Sequence, residues 1–226
     1  MGRRAVAELL GTAFLLVAVV GSGIMGERLA GGNVGIALLA NSIATGAALV
    51  VLILAFGSIS GAHFNPVVTL GQALWGELRW GHVPVYVTMQ IAGAFLGVAV
   101  ANRMFGFSLF FTSSHARPGA AQLLSEFVAT FGLILVIWCC SRFHASSVPF
   151  AVGAYITGAY WFTSSTSFAN PAVTLARAAT DTFAGIRPRD VPGFVSAQLM
   201  GAAAATLLCS WLLTSPAAAS SPERNT

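Results

Sequence analysis

The chain has 226 residues, of which 56% are hydrophobic and only 8% charged, against roughly 25% charged in ordinary globular domains. That composition excludes a water-soluble globule and points to a chain embedded in lipid. The net charge of +4 comes from arginines scattered between apolar runs, so no basic face for nucleic acid is expected and none is counted among the partners.

The first apolar stretch, Ala5 to Met25, is about as long as the roughly 20 residues a span requires and is read as a retained helix rather than a leader. In chain order, spans are expected at 4–26, 33–56, 83–104, 120–141, 148–163 and 190–214. Two shorter apolar segments at 65–75 and 170–180 cannot cross about 30 Å of hydrocarbon at 1.5 Å per residue, so each must dip in and return. Re-entrant backbone is tolerated at that depth only where it is buried in protein or lines a wet cavity. The predicted fold class is an all-α membrane protein of six transmembrane helices plus two re-entrant half-helices.

Each short segment opens on a near-identical hexapeptide, Asn65-Pro66-Val67-Val68-Thr69-Leu70 and Asn170-Pro171-Ala172-Val173-Thr174-Leu175. Asn caps the free amides of a helix start, and Pro supplies a helix-ready φ at the first position without a donor to orphan. Two such starts inside a membrane are half-helices whose positive dipole ends point into a cavity, as in channels and transporters.

The segments belong to a repeat. Ala7-Glu8 with Gly11-Thr12 echoes Ser125-Glu126 with Ala129-Thr130, and Val83-Pro84 with Gln90 and Gly93 recurs as Val191-Pro192 with Gln198 and Gly201 at one constant offset. The first repeat covers 1–104, a connecting loop 105–119, the second repeat 120–214 and a polar tail 215–226, within a single channel domain. Each repeat holds three spans, an odd number, so the second enters from the opposite face and the repeats are inverted.

The remaining features divide between packing and function. Gly93 with Gly97, and Gly201 with Ala205, are small-residue pairs that let helices approach closely. Cys139, Cys140 and Cys209 lie in apolar runs without metal-ligand spacing and are assigned to packing; no metal or cofactor site is expected. His82, His115 and His144 fall at span ends or loops and are assigned to the surface. Arg3, Arg4, Arg79, Arg142 and Arg224 fall on one side of this topology and Arg28, Arg103, Arg117, Arg177, Arg187 and Arg189 on the other, so charge bias sets no orientation. Glu8 and Glu126 are carboxylates inside apolar helices, costly unless partnered, and so candidates either for a proton relay or for a structural role.

The chain resembles the major intrinsic protein family, the aquaporins and aquaglyceroporins, through Ser60-Gly61-Ala62-His63-Phe64-Asn65-Pro66-Val67, Asn170-Pro171-Ala172, Glu8, Glu126 and the repeat order. The resemblance implies an hourglass pore in each protomer, a homotetramer, and passage of water and small neutral solutes across the bilayer of a bacterial cell membrane. It implies that Asn65 and Asn170 offer side-chain amides at the pore midplane. The carbonyls of Gly61, Ala62 and His63 and of Thr166, Ser167 and Phe168 then form an acceptor ladder. Glu8 and Glu126 hold the re-entrant amides, and His63 positions its loop or lines the pore.

The selectivity filter of this family is located relative to the two Asn-Pro elements. Counting gives Thr45, twenty residues before Asn65, Gly158 and Ser167, twelve and three before Asn170, and Val173, three after it. Relatives place an arginine at the last position and aromatics among the others. An uncharged ring of small residues implies a wide filter that favours glycerol, urea or the neutral hydroxides of arsenic and antimony over strict water selectivity. The segment from Ala176 to Pro188 resembles the bacterial aquaglyceroporin-like branch associated with arsenic resistance. Arg177 is open to two readings: a partial substitute for the missing cation, or an anchor of the half-helix end pairing with Asp181. A water-dominated aquaporin remains the alternative. A secondary transporter with inverted repeats is a different class, disfavoured because only the two glutamates could couple an ion. No cluster of nucleophile and base suggests an enzyme.

Overall fold

The structure is a computed structural model that describes residues 1–213; the tail at 215–226 lies outside the described residues. Its helices are α1 (Gly2–Leu29), α2 (Val34–Ser60), α3 (Pro66–Leu74), α4 (Val83–Met104), α5 (Ala120–Phe143), α6 (Val148–Phe162), α7 (Pro171–Arg177) and α8 (Val191–Leu212), with no strand among the described residues. The order long, long, short, long occurs twice, as the repeat requires.

Five helices are long and apolar enough to cross a membrane: α1, α2, α5 and, each with its leading 3-10 turn, α4 and α8. The segment expected at 148–163 is matched by α6, which with 15 residues, about 22 Å at 1.5 Å per residue, is shorter than the other five. A 3-10 turn at Ala145–Ser147 precedes it, and the chain leaves it at Thr163 in an extended conformation to reach the second half-helix. The half-helices α3 and α7 have 9 and 7 residues, consistent with elements that dip into the bilayer rather than cross it.

The distribution of polarity is that of a protein dissolved in lipid. Phe14, Leu54, Leu124, Phe150, Leu207 and Trp211 point outward from their helices, whereas Glu8, Thr12, Gln90, Glu126, Thr130 and Gln198 are fully buried. Hydrocarbon offers no hydrogen bonds, so polar groups turn inward to find partners there.

Within each half the first helix packs along the second and fourth: α1 on α2 and α4, and α5 on α6 and α8. The halves join where α2 meets α6, and the half-helices cross over, α3 packing on α8 and α7 on α4. Glycine makes the close contacts. A methyl at Gly93 or Gly97 would run into the backbone carbonyls of Leu9 or Ala13 on α1, and one at Gly201 into the carbonyl of Phe127 on α5. Gly46 and Gly153 play the same part between the halves, each facing the other's carbonyl at 2.7–2.8 Å from where its own Cβ would stand.

The connecting loop is stitched onto the second half. Phe111 and Ser113 donate backbone N–H groups to the carbonyls of Ala179 and Ala178, and Arg187 donates to the carbonyl of His115. Arg117 donates from its backbone to Asp190, from Nε to the Gly185 carbonyl and from Nη1 to the Ser165 carbonyl. Burial lowers its guanidinium to about 10, which leaves it charged at neutral pH.

Replacement of Gly93 or Gly201 by Val should lower the melting temperature of the detergent-solubilised protein, since overpacking against rigid backbone costs roughly 1–3 kcal/mol. Gly57→Ala, where no atom lies within 4 Å of the added methyl, should leave it unchanged or raise it slightly. Equal melting temperatures for Gly93→Val and the parent would show that α1 and α4 are not held at glycine contact.

Candidate functional site

The two re-entrant loops, at 61–65 and 163–170, carry backbone donors that lie deep in the bilayer and need acceptors. Glu8 supplies them in the first: its carboxylate accepts from the Ser60 hydroxyl at 2.6 Å, from the N–H of His63 at 3.0 Å and Phe64 at 2.7 Å, and from the Gln90 amide at 2.8 Å. Glu126 repeats the pattern with Ser165 at 2.6 Å, the N–H of Phe168 and Ala169 at 2.9 Å each, and Gln198 at 2.6 Å. The glutamines continue outward to Thr69 and Thr174, whose hydroxyls donate to the carbonyls of Asn65 and Asn170. Each buried carboxylate is therefore saturated by four donors. Gln90 and Gln198 were visible in the sequence only as members of the repeat; their bonding to the glutamates was not.

With its amides tied down, each loop takes an unusual backbone path. Ala62 and Phe64, and Thr166, Ser167 and Ala169, have φ between 48° and 61° although none is glycine, a conformation that costs of order 1 kcal/mol or more per residue. Among the described residues, no N–H or O–H group donates to the carbonyls of Gly61, Ala62, His63, Thr166, Ser167 or Phe168. Their acceptor capacity is left over for something else.

Asn65 and Asn170 close the arrangement. Each side-chain oxygen caps its own half-helix, Asn65 accepting from Val67 at 3.1 Å and Asn170 from Ala172 at 3.0 Å and Val173 at 3.3 Å. Each side-chain amide donates across to the opposite loop, Asn65 to the Ala169 carbonyl and Asn170 to the Phe64 carbonyl, both at 2.8 Å. No local signal along the chain marks this crossed pair. An amide nitrogen has two hydrogens, so one remains on each Asn after the crossing. Pro66, Val67, Pro171 and Ala172 form the first turns behind these side chains and do not line the cavity.

A cavity of about 130 Å³ runs past both asparagines, room for several waters at about 10–15 Å³ each on this measure. Gly61, Ala62, His63, Phe64, Asn65, Ser167, Phe168, Ala169 and Asn170 line it on the loop side, and Leu15, Val19, Ile53, Leu133, Val152 and Ile156 form the apolar side. His63 also meets the Thr69 hydroxyl through Nδ1 at 3.0 Å, so it both lines the cavity and holds its loop. Gln72 and Ser141 connect the cavity to a vestibule of about 660 Å³ at the C-terminal ends of α3 and α5.

Of the four expected filter residues, Thr45, Ser167 and Val173 line this cavity and Gly158 does not. Gly158 is exposed on the outside of α6, two residues beyond Ile156 and so about 200° around the helix from it. Tyr160 lines the cavity instead, with its hydroxyl 3.2 Å from that of Thr45. Counting back from Asn170 fails here because the path from α6 to α7 is irregular, and one residue of difference turns a helical side chain by about 100°. The helical phase Val148, Val152, Ile156, Tyr160 would have identified the inward face. The cavity wall beside Thr45 is consequently not composed wholly of small residues.

Arg177 lies at the far end of α7 and also lines the cavity. Its Nε donates to the Ala184 carbonyl and its guanidinium lies 3.3 Å from the Phe168 ring centroid. Asp181 is not its partner: that carboxylate accepts from Ser113 and Ser114. Arg117 approaches the same ring at 4.9 Å, a placement that nothing in the loop sequence suggested.

Comparison with known proteins agrees with this geometry. A family model described as "Major intrinsic protein" matches residues 1–156. Over 211 residues the chain is 56% identical to the aquaglyceroporin AqpS of Rhizobium meliloti (strain 1021), covering 93% of this chain and 90% of that one. It is 33% identical over 142 residues to the probable aquaporin NIP7-1 of Arabidopsis thaliana, across 63% of this chain and 50% of that longer protein. The X-ray structure of the aquaglyceroporin from Plasmodium falciparum superposes with a TM-score of 0.71 over 93% of this chain and 94% of that one, at 21% identity, a likeness of fold. The chain therefore belongs to the major intrinsic protein family, as a multi-pass membrane channel for water and small solutes.

Proposed function

We propose that the channel passes uncharged solutes bulkier than water, with glycerol, urea and the neutral hydroxides of arsenic and antimony as the solutes to test, through a filter formed by Thr45, Tyr160, Ser167 and Val173. One observation carries the reading: the cavity is amphipathic, with unengaged carbonyls and the unpartnered Ser167 hydroxyl on one wall and aliphatic side chains on the other. Such a lumen receives the hydroxyls of a polyol on one side and its carbon edge on the other. Val173, small and neutral where the resemblance implies arginine, leaves room for it. The similarity to a Rhizobium aquaglyceroporin supports this class of solute. Tyr160 in place of Gly158 favours the narrower, water-dominated reading, and swelling rates of proteoliposomes in glycerol against water distinguish the two. We further propose that Asn65 and Asn170 form the cation barrier at the midplane, that Glu8 and Glu126 are scaffolds, and that four copies associate as in the family.

In Asn170→Asp a carboxylate replaces the amide that donates to Phe64, which removes the crossed bond and places negative charge at the helix start. Cation conductance should rise and solute flow should fall; parent-like currents and uptake would locate the barrier elsewhere. Glu126→Ala orphans the amides of Phe168, Ala169 and Gln198, at roughly 1–3 kcal/mol each. It should reduce folded yield and melting temperature far more than flux per folded channel. A variant of normal stability that has lost uptake would instead revive a proton-relay role.

Val173→Arg should slow glycerol and arsenite more than water, because the added atoms narrow a passage a few atoms wide whereas its donors help only solutes that still fit. Stopped-flow swelling of proteoliposomes reads all three. Equal slowing of the three solutes would show that residue 173 does not set the aperture.

A further inference from the structure

The cavity contains one charged side chain that the reading above leaves without a task. Arg177 is 2% exposed, and a buried cation is costly unless a partner compensates it. No carboxylate is bonded to it, and Glu126 acts on it only from a distance. Among the described residues the one ion pair joins Arg187 to Asp190, Asp181 is engaged by Ser113 and Ser114, and Glu126 is filled by its four donors.

The guanidinium is nevertheless held firmly. Nε is committed to the Ala184 carbonyl, and the plane rests on Phe168. That ring is itself fixed by edge contact with Phe194 at 5.3 Å and by its backbone bond to Glu126. Arginine has five N–H donors; with Nε spent, four remain on the terminal nitrogens, and no acceptor among the described residues takes them. In the wall of the same cavity, the Ser167 hydroxyl is buried without a partner. A fixed cation with four free donors, in one cavity with a free hydroxyl, is a polar site built to face whatever passes.

Its position follows from the crossed asparagines. They fix the midplane, α3 runs from it toward the vestibule, and α7 runs the other way to end at Arg177. We propose that Arg177 is the cation of the outer constriction, taking the role left vacant at residue 173: it repels cations and, with Ser167, donates to the oxygen atoms of uncharged solutes such as water or a polyol. The displacement outward by one helical turn separates the charge from the narrow ring. Val173 can then leave the aperture open without loss of ion exclusion. This inference rests on the channel reading above and names a residue of the same site.

The decisive variant is Arg177→Gln, reconstituted in proteoliposomes with potassium conductance, water flux and glycerol flux measured together. Conductance should rise about tenfold or more, because a fixed charge at contact distance in a part-buried site changes an ion's energy by several RT. Arg177→Lys should keep the exclusion, and the double variant Val173→Arg with Arg177→Gln should restore it. A folded Arg177→Gln channel with the parent's conductance and the parent's ratio of glycerol to water flux would overturn the proposal.

A measurement on the parent decides the matter if that variant fails to fold. Butane-2,3-dione, a small neutral arginine reagent, should modify Arg177, and excess glycerol should slow the modification, as read by mass spectrometry. Modification of the exposed Arg28 and Arg103 with Arg177 untouched would overturn the assignment. If parent vesicles pass water but no glycerol, the solute reading of the preceding subsection fails, while the conductance arm still reports on Arg177.

Discussion

Everything in this fold depends on satisfying backbone polar groups in a solvent that offers no hydrogen bonds. Two stretches of irregular chain reach the middle of the bilayer, where each unpaired N–H or C=O costs several kcal/mol. The protein resolves this asymmetrically. The N–H groups of His63, Phe64, Phe168 and Ala169 are given to two buried carboxylates, while the carbonyls of Gly61, Ala62, His63, Ser167 and Phe168, residues that line the cavity, accept from no protein donor among the described residues; Thr166 does not line it. Protein thus serves the donors and leaves the acceptors free, which is the arrangement that the proposed passage of solutes along these oxygens requires.

The carboxylates work because the surrounding helices deliver complementary donors. Gln90 on α4 and Gln198 on α8 each bridge a glutamate to a threonine of the adjoining half-helix, which fixes α3 and α7 relative to the long helices. That bridge requires α1 and α4, and likewise α5 and α8, to lie close enough for a glutamine to span them. Gly93, Gly97 and Gly201 set that distance, since any side chain there would strike a carbonyl of the neighbouring helix. Packing and polarity are one device, with small residues bringing the backbones together and the polar network occupying the space between.

Strain is concentrated where the solute passes. The left-handed residues Ala62, Phe64, Thr166, Ser167 and Ala169 all fall in the loops, and the crossed bonds from Asn65 to Ala169 and from Asn170 to Phe64 hold the two strained segments against each other. Each loop's geometry is therefore over-determined by its carboxylate, its own cap and the opposite asparagine. Arg117 adds a fourth restraint on the second loop by drawing the connecting loop down onto the Ser165 carbonyl, so the chain between the halves also supports the site.

The sequence by itself determined the architecture. Composition set the solvent, run length separated spans from half-helices, and the paired Asn-Pro starts with their echoing Glu8 and Glu126 identified the repeat, because these are local or periodic signals that survive without coordinates. The tertiary structure alone decided which side chains meet in the lumen. Gly158 lay at the expected count from Asn170, yet Tyr160 faces the cavity, since counting across an irregular loop loses helical phase. Arg177 had two readings along the chain, and the carboxylate proposed as its partner is bonded elsewhere while its guanidinium lies on Phe168. Arg117 and the glycine pair Gly46 and Gly153 carried no local mark at all. Their roles come from contacts between segments far apart in sequence, and such contacts exist only once the two halves have packed against each other.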